Sequence, residues 1–229
     1  LKYEKVHRGI FLERPNRFVA KALINGKEET VHVKNTGRCK ELLIRGRTII
    51  LEEGSNPNRK TKYSIIAVYK GDRLINIDSQ APNRAAWEGL CQGSIKEIGI
   101  PEFVNTEVSY KNSRFDLYYE KDGKKGFIEV KGVTLEDDGI AMFPDAPTKR
   151  GVKHIRELME AKKEGYETWI LFFIQMKGMK LFKTNDVTDP DFASACVEAK
   201  KEGVHILVYD SIVKEDSMDI NDLVFYKYK

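Results

Sequence analysis

A chain of 229 residues has room for one large domain or two smaller ones, each burying its own core. Hydrophobic residues make up 41% and charged residues 32%, which excludes a disordered chain. The longest strongly apolar run, WILFFI from Trp169 to Ile174, is far shorter than the roughly 18 residues of a membrane span.

The net charge of +4 is divided unevenly, with 17 Lys and Arg against 9 Asp and Glu in residues 1–80 and 22 against 26 in the rest. That asymmetry predicts a polyanion-binding module joined to a less basic one, with a merely solvated basic surface as the alternative. The beginning, LKYEKVHRG, lacks the apolar segment of a secretory signal, so a cytoplasmic protein is expected. Cys39, Cys91 and Cys196 have neither paired metal-site spacing nor an even count, and are expected to be reduced and structural.

Up to residue 80 short β-rich runs alternate with turn signals: RFVAKALI, EETVHVK, RTIILEEG, KYSIIAVYKG and DRLINIDS. Asn25-Gly26 predicts a type I′ hairpin turn, and Gly71-Asp72 a similar one. Five or so strands in a basic segment of this length predict an OB-fold barrel. GRCKELLIRG between them has room for one or two helical turns, and alternation places Phe18 in the barrel core with Phe11 near the basic residues.

After Ala81-Pro82 the period changes, so the boundary falls near residues 79–83, dividing the chain into 1–80 and 81–229. Ala86, Leu90, Ile95 and Ile98 follow a helical spacing, with Asn83 as its cap. Strands are predicted near 104–111, 113–121, 125–133 and 140–143, then a helix near 147–164 with Pro147 in its first turn and Gly165 ending it. YETWILFFIQ reads as a central strand covered on both faces. A helix near 190–202 and the strand VHILVYDSIV complete an α/β domain with a mixed sheet.

Within RFDLYYEKDGKKGFIEVKG, alternation puts Glu129 and Lys131 on one strand face and Ile128 and Val130 on the other. If Asp122-Gly123 is a two-residue turn, Asp116 stands directly across from Glu129. Two carboxylates that close need a divalent cation or a shared proton, and a small open acidic site suits Mg²⁺. Lys131 beside such an ion could orient a water or stabilise charge on a phosphoryl group, which points to phosphodiester hydrolysis. A Gly123-Lys124 turn would instead pair Asp116 with Lys131 as a cross-strand salt bridge, and a three-residue loop would move Asp116 off the face.

Asp116 followed by Glu129-Val130-Lys131 resembles the signature of the PD-(D/E)XK nuclease superfamily, without a proline before the aspartate. More specifically, NTGRCKELL from Asn35, SQAPNRAAWEGL from Ser79, SRFDLYYE, GFIEVKGVTLE and MFPDAPTKRGVKHIRELM from Met142 resemble the sugar fermentation stimulation protein family, SfsA. The resemblance spans the chain. It implies an N-terminal OB-fold, a restriction-endonuclease-like C-terminal domain, DNA binding of low sequence specificity and a regulatory role in sugar metabolism. It also implies a catalytic set of Asp116, Glu129 and Lys131, with Mg²⁺ or Mn²⁺ on Asp116 and Glu129 and with Glu88 as an additional acid. Arg150 and His154, one helical turn apart, are candidates to reach the site or a phosphate, or else form an exposed polar stripe. Arg14, Arg17, Lys34, Arg38, Lys40, Arg45 and Arg47 form the candidate nucleic-acid surface of the barrel. Asp137 and Asp138 are expected to be solvated. No membrane partner is expected, and the oligomeric state is left open, a homodimer included.

Overall fold

The computed structural model describes residues 1–35, 37, 39–56 and 58–227. The N-terminal part is built from β1 (Val6–Asn16), β2 (Val19–Ile24), β3 (Lys27–Val33), β4 (Thr48–Glu53), β5 (Tyr63–Lys70) and β6 (Arg73–Asn76). They run in the order β3-β2-β1-β4-β5-β6, and a parallel pairing of β3 with β5 through His32/Ser64 and Val33/Ile65 closes the first five into the OB barrel. Asn25 and Gly26 take φ of 50° and 77°, the geometry of the expected type I′ turn. At Gly71-Asp72 only the glycine is left-handed, so that hairpin turns by a different route.

Strand β1 was not expected. Its sequence VHRGIFLERPN mixes charges with apolar residues and ends beside a proline, which blurs the alternation that marks a strand. Yet it pairs with both β2 and β4. Phe11 enters the core, whereas Phe18 belongs to the turn after β1 and is 45% exposed, against the expectation from alternation. In GRCKELLIRG, Leu43 N–H donates to Cys39 C=O, making a single helical turn.

The C-terminal part opens with α1 (Ala81–Cys91). Its cap is Gln80, so Asn83 lies inside the helix, and the helix stops before Ile95 and Ile98, which are nevertheless buried. A six-stranded mixed sheet follows, formed by β7 (Phe103–Tyr110), β8 (Ser113–Lys121), β9 (Lys124–Val133), β12 (Glu167–Ile174), β14 (His205–Lys214) and β15 (Ser217–Leu223). Its order is β15-β14-β12-β9-β8-β7, parallel across β9, β12 and β14 and antiparallel towards both edges. The acidic edge strand β15 offers little apolar pattern and was missed. So were β10 (Leu135–Asp137) and β13 (Leu181–Thr184), which flank β11 (Ile140–Phe143) in a small second sheet.

As its apolar run predicts, β12 is covered on both faces. Ile170, Phe172 and Ile174 join the cluster containing Ile155 and Leu158 of α2 (Lys149–Lys163) and Phe192 of α3 (Pro190–Lys201). Trp169, Leu171 and Phe173 pack with Ala85 and Leu90 of α1. Thr148 caps α2, accepting from Gly151 N–H, which leaves Pro147 just outside the helix. Cys39 and Cys196 are buried and Cys91 is exposed, all three as free thiols. Among the described residues no helix is long and apolar enough to cross a membrane.

The two parts share a polar joint. Asn76 N–H donates to Gln175 C=O, and Gln175 Nε2 donates back to Asn76 and to the carbonyl of Asp78. Glu136, 3% exposed at its side chain, meets Lys70 and, at 3.0 Å, Arg73 from the barrel. Burial works to raise the Glu136 carboxyl, but Lys70, the Gly139 N–H and Arg73 together hold it below its usual range. Such a group contributes stability that is present above its unfolded pKa and lost as pH falls through the folded one. Replacing Glu136 by Gln should therefore cost about 1–2 kcal/mol at neutral pH, less than for a fully buried pair because both cations are partly exposed. In urea unfolding the gap to wild type should close as pH is lowered from about 5 towards 3.

Candidate metal and nucleic-acid site

Asp122 and Gly123 have φ of 51° and 73°, a two-residue type I′ turn, and set the register Lys121/Lys124 through Leu117/Ile128. Of the three turns open to this sequence, the structure has the first. The ladder nevertheless ends at Leu117/Ile128, one pair before Asp116 would face Glu129. On its other side β8 pairs with β7 at Leu117 and Phe115 but skips Asp116, opposite Glu107, whose φ is 58°. The strand turns over here: Phe115 packs in the α2-side cluster and Leu117, two residues on, in the α1-side cluster. Asp116, freed from both ladders, accepts Val130 N–H at 2.8 Å and Asn83 Nδ2 at 2.7 Å. It lines a cleft with Ser79, Trp87 and Glu107.

Glu129 and Lys131 lie towards α2, as alternation requires. The Glu129 carboxylate is only 3% exposed. Its Oε1 takes Lys131 Nζ at 2.6 Å and His154 Nδ1 at 2.5 Å. Arg150 Nε reaches His154 Nε2 at 3.3 Å, so Nε2 accepts and Nδ1 carries the proton given to Glu129. Burial works to raise the Glu129 carboxyl, and Lys131 with His154 outweighs it, leaving the group below its usual range. The second oxygen, Oε2, is buried and has no hydrogen-bond partner among the described residues. Asp116 goes the other way: burial, then the Glu129 charge, pushes it up to about 6.

The site therefore has a buried carboxylate oxygen awaiting a positive group and a neighbouring carboxylate whose ionisation is suppressed for want of one. Both observations fit a cation. Among the described residues no group of three or more His, Cys, Asp or Glu could hold a metal, so a cation here would have at most these two carboxylates as protein ligands of that kind, and a site of few carboxylates suits Mg²⁺ or Mn²⁺ better than zinc.

The other sequence candidates divide. Glu88 is not brought to this site: it pairs with Arg84 at 3.2 Å and with the Leu1 amino group. The α1 residue that reaches Asp116 is Asn83, which the sequence offered only as a helix cap and not as part of the site. His154 reaches the site, buried against Glu129, and so does not form the exposed polar stripe that was the alternative, while Arg150 is exposed. Asp137 and Asp138 are exposed, as expected.

In the barrel, Arg14 donates to the carbonyls of Arg17, Asn35 and Gly37, and Arg47 to those of Glu41 and Leu42. Lys34 binds Glu52 at 2.7 Å and Asp78 at 3.2 Å. These three hold loops together. Arg17, Lys40 and Arg45 remain on the surface, and Arg17 stands 4.7 Å over the exposed Phe18 ring. Arg38 lies outside the described residues.

Comparison with known families and structures gives a consistent match. The model of the SfsA N-terminal OB domain matches residues 12–77, and that of the sugar fermentation stimulation protein RE domain matches residues 80–217. The chain is 56% identical over 234 residues to a sugar fermentation stimulation protein homolog of Alkaliphilus oremlandii, with all of both chains covered. It is 52% identical to that of Desulfitobacterium hafniense (strain Y51), over 99% of this chain and 98% of the other. A solved structure of Pyrococcus furiosus SfsA in complex with Ca²⁺ superimposes with a TM-score of 0.89 at 25% identity, covering 99% of this chain and 98% of that one.

The raised Asp116 gives a direct energetic test. Its folded pKa lies above the unfolded value, so its contribution is present below about pH 4 and lost as pH rises through about 6. Asp116→Asn keeps an oxygen for Val130 N–H, lets Asn83 turn its amide over, and removes the suppressed charge. In chelator at pH 8 this variant should be more stable than wild type, by at most about 3 kcal/mol, and the gain should vanish near pH 4. Thermal unfolding at the two pH values checks it.

Proposed function

This chain belongs to the sugar fermentation stimulation protein family, and from that premise and the geometry above we propose that it binds DNA and hydrolyses phosphodiesters at a single divalent-cation site. The observation that carries the reading is the unpartnered Glu129 Oε2 beside the raised Asp116. The relative from Pyrococcus furiosus, described in complex with Ca²⁺, supports a divalent cation as the partner of this fold.

Asp116 and Glu129 would hold the ion, each from a different strand. When bound, Mg²⁺ or Mn²⁺ supplies charge neutralisation at a phosphoryl oxygen and lowers the pKa of a water. The protein's own groups do the rest. Val130 N–H and Asn83 fix the Asp116 carboxylate. His154, backed by Arg150, fixes Glu129 through Oε1 and so leaves Oε2 as the oxygen free to coordinate. Lys131 neutralises Glu129 in the absence of the ion and, once the ion takes that role, has its ammonium free for the phosphate. Arg17, Phe18, Lys40 and Arg45 on the barrel offer charge to the backbone and a ring face to a base.

The same Lys131–Glu129 pair favours a second reading, a DNA-binding regulator that keeps the ion for structure without cleaving. Incubation of single-stranded, duplex and branched DNA with Mn²⁺ separates the two. Cleavage by wild type, absent with chelator and reduced at least a hundredfold in Lys131→Ala, is expected; intact DNA under every condition would leave the regulator.

Calorimetry should show Mn²⁺ binding by wild type and none by an Asp116→Ala, Glu129→Ala double variant; equal binding would refute the site. DNA affinity should fall steeply as salt rises, because phosphate contacts release counterions, and a flat profile would count against the barrel as the binding surface.

A further inference from the structure

Between the barrel and the C-terminal domain lies a cavity of ≈ 370 Å³ that the proposed chemistry does not use. Its volume is that of a small-ligand site, about 300–1,000 Å³. One wall is the MFPDAPT segment, the part of the sequence most distinctive yet without a role so far: Met142 and Phe143 are half-buried and Pro144 is buried. This wall is held from behind. Asn185 donates its N–H to Phe143 C=O at 2.7 Å and its Nδ2 to Pro144 C=O at 3.0 Å, and Thr148 N–H bonds Asp189 at 2.7 Å.

The opposite wall carries the informative atom. Gln175 is 2% exposed, and its Nε2 is committed to Asn76 and Asp78, which fixes the amide's orientation. Its Oε1 then lies over Gly132, 2.6 Å from where a Cβ would stand, and no donor reaches it among the described residues. Gly132 follows Lys131 in β9, and Asp145 supplies a second acceptor on the same cavity. Ser79 lines both this cavity and the cleft that contains Asp116, so the two are adjacent.

We propose that this cavity takes one unpaired nucleobase of the bound strand, a base bearing an exocyclic amino group, placing it beside the phosphate handled at Lys131. The proposal rests on the DNA-binding reading above and adds its specificity. A carbonyl oxygen that faces a cavity with no protein donor rewards an amino group entering that cavity and gains nothing from a base that offers a carbonyl instead. Cytosine and thymine are both pyrimidines and differ at ring position 4, where cytosine presents N4–H₂ and thymine O4; thymine also carries a C5 methyl and an N3–H directed along the pairing edge, away from position 4. The apolar wall of Met142, Phe143 and Pro144 accepts the ring in either case.

Equilibrium binding of short labelled oligo-dC, oligo-dT and duplex DNA, in metal that does not support cleavage, tests it. Wild type should prefer oligo-dC to oligo-dT by about tenfold. Ala146→Trp and Thr134→Tyr fill the cavity from two sides, and in a folded variant of either kind the two affinities should converge. Equal affinities in wild type, or a preference surviving in both variants, would overturn the base site while duplex binding left the DNA-binding reading standing. Failure of all three DNA forms to bind would remove both. Deoxycytidine monophosphate alone binding as tightly as the strand would assign the cavity to a free nucleotide and overturn the strand-bound base.

Discussion

A carboxylate on an interior strand, with both neighbours parallel or antiparallel partners and a helix above, has to be compensated or the sheet is penalised by several kcal/mol. Glu129 is in that position, and the surroundings follow from it. Lys131, two residues on and therefore on the same strand face, approaches one oxygen. His154, presented by α2, approaches the same oxygen, and Arg150 one turn earlier fixes the histidine's proton on the correct nitrogen. Two groups thus converge on Oε1, with Arg150 behind one of them, while Oε2 is left buried and bare. A protein selecting only for stability would satisfy both oxygens or replace the acid with an apolar residue; local disagreement of this kind marks a functional site.

The second carboxylate shows how the backbone takes part. Had β8 and β9 stayed paired, the Asp116 side chain would have stood in an ordinary cross-strand position. Instead Glu107 takes a left-handed conformation, both ladders skip Asp116, and its carboxylate is tied to the backbone of the strand that carries Glu129. Left-handed φ at a residue other than glycine or asparagine is costly and persists where the surroundings impose it. The irregularity turns one acid out of the regular pleat and into the cleft.

These features set what could be read from the sequence. The Asp122-Gly123 turn was legible because two residue types suited to positive φ sit between matched strands, and it fixed the hairpin register. The alternation of Glu129 and Lys131 against Ile128 and Val130 was legible for the same geometric reason. The turn-over at Asp116 was not, since glutamate at 107 does not advertise a left-handed backbone. The acid expected from α1 was placed by helical region alone, and the helix face that meets the sheet carries Asn83 toward Asp116 while Glu88 goes to Arg84. His154 and Arg150 were legible as neighbours at i and i+4, but whether that face met solvent or Glu129 depended on packing between α2 and β9. In the barrel, charge density was plain, yet a count of cations does not distinguish Arg17 on the surface from Arg14 and Arg47, which are spent on loop carbonyls.

The joint between the two parts ties the barrel to the strands around Glu129. Gln175 follows directly on β12, the strand paired with β9, and bonds Asn76 at the end of β6. A shift of the barrel would therefore pull on the strand adjacent to Glu129 and Lys131. On the proposed DNA-cleaving reading, a flexible tether would only raise the local concentration of a strand near the site, whereas a fixed joint would set the position of a particular phosphate, on which catalysis depends to within about an ångström. The buried Glu136 with Lys70 and Arg73 fastens the other side of the same joint. One amide, Gln175, both bonds the barrel and faces the cavity beside Gly132, so on the proposal above the element that would position a bound strand is also the one that would sense which base has entered.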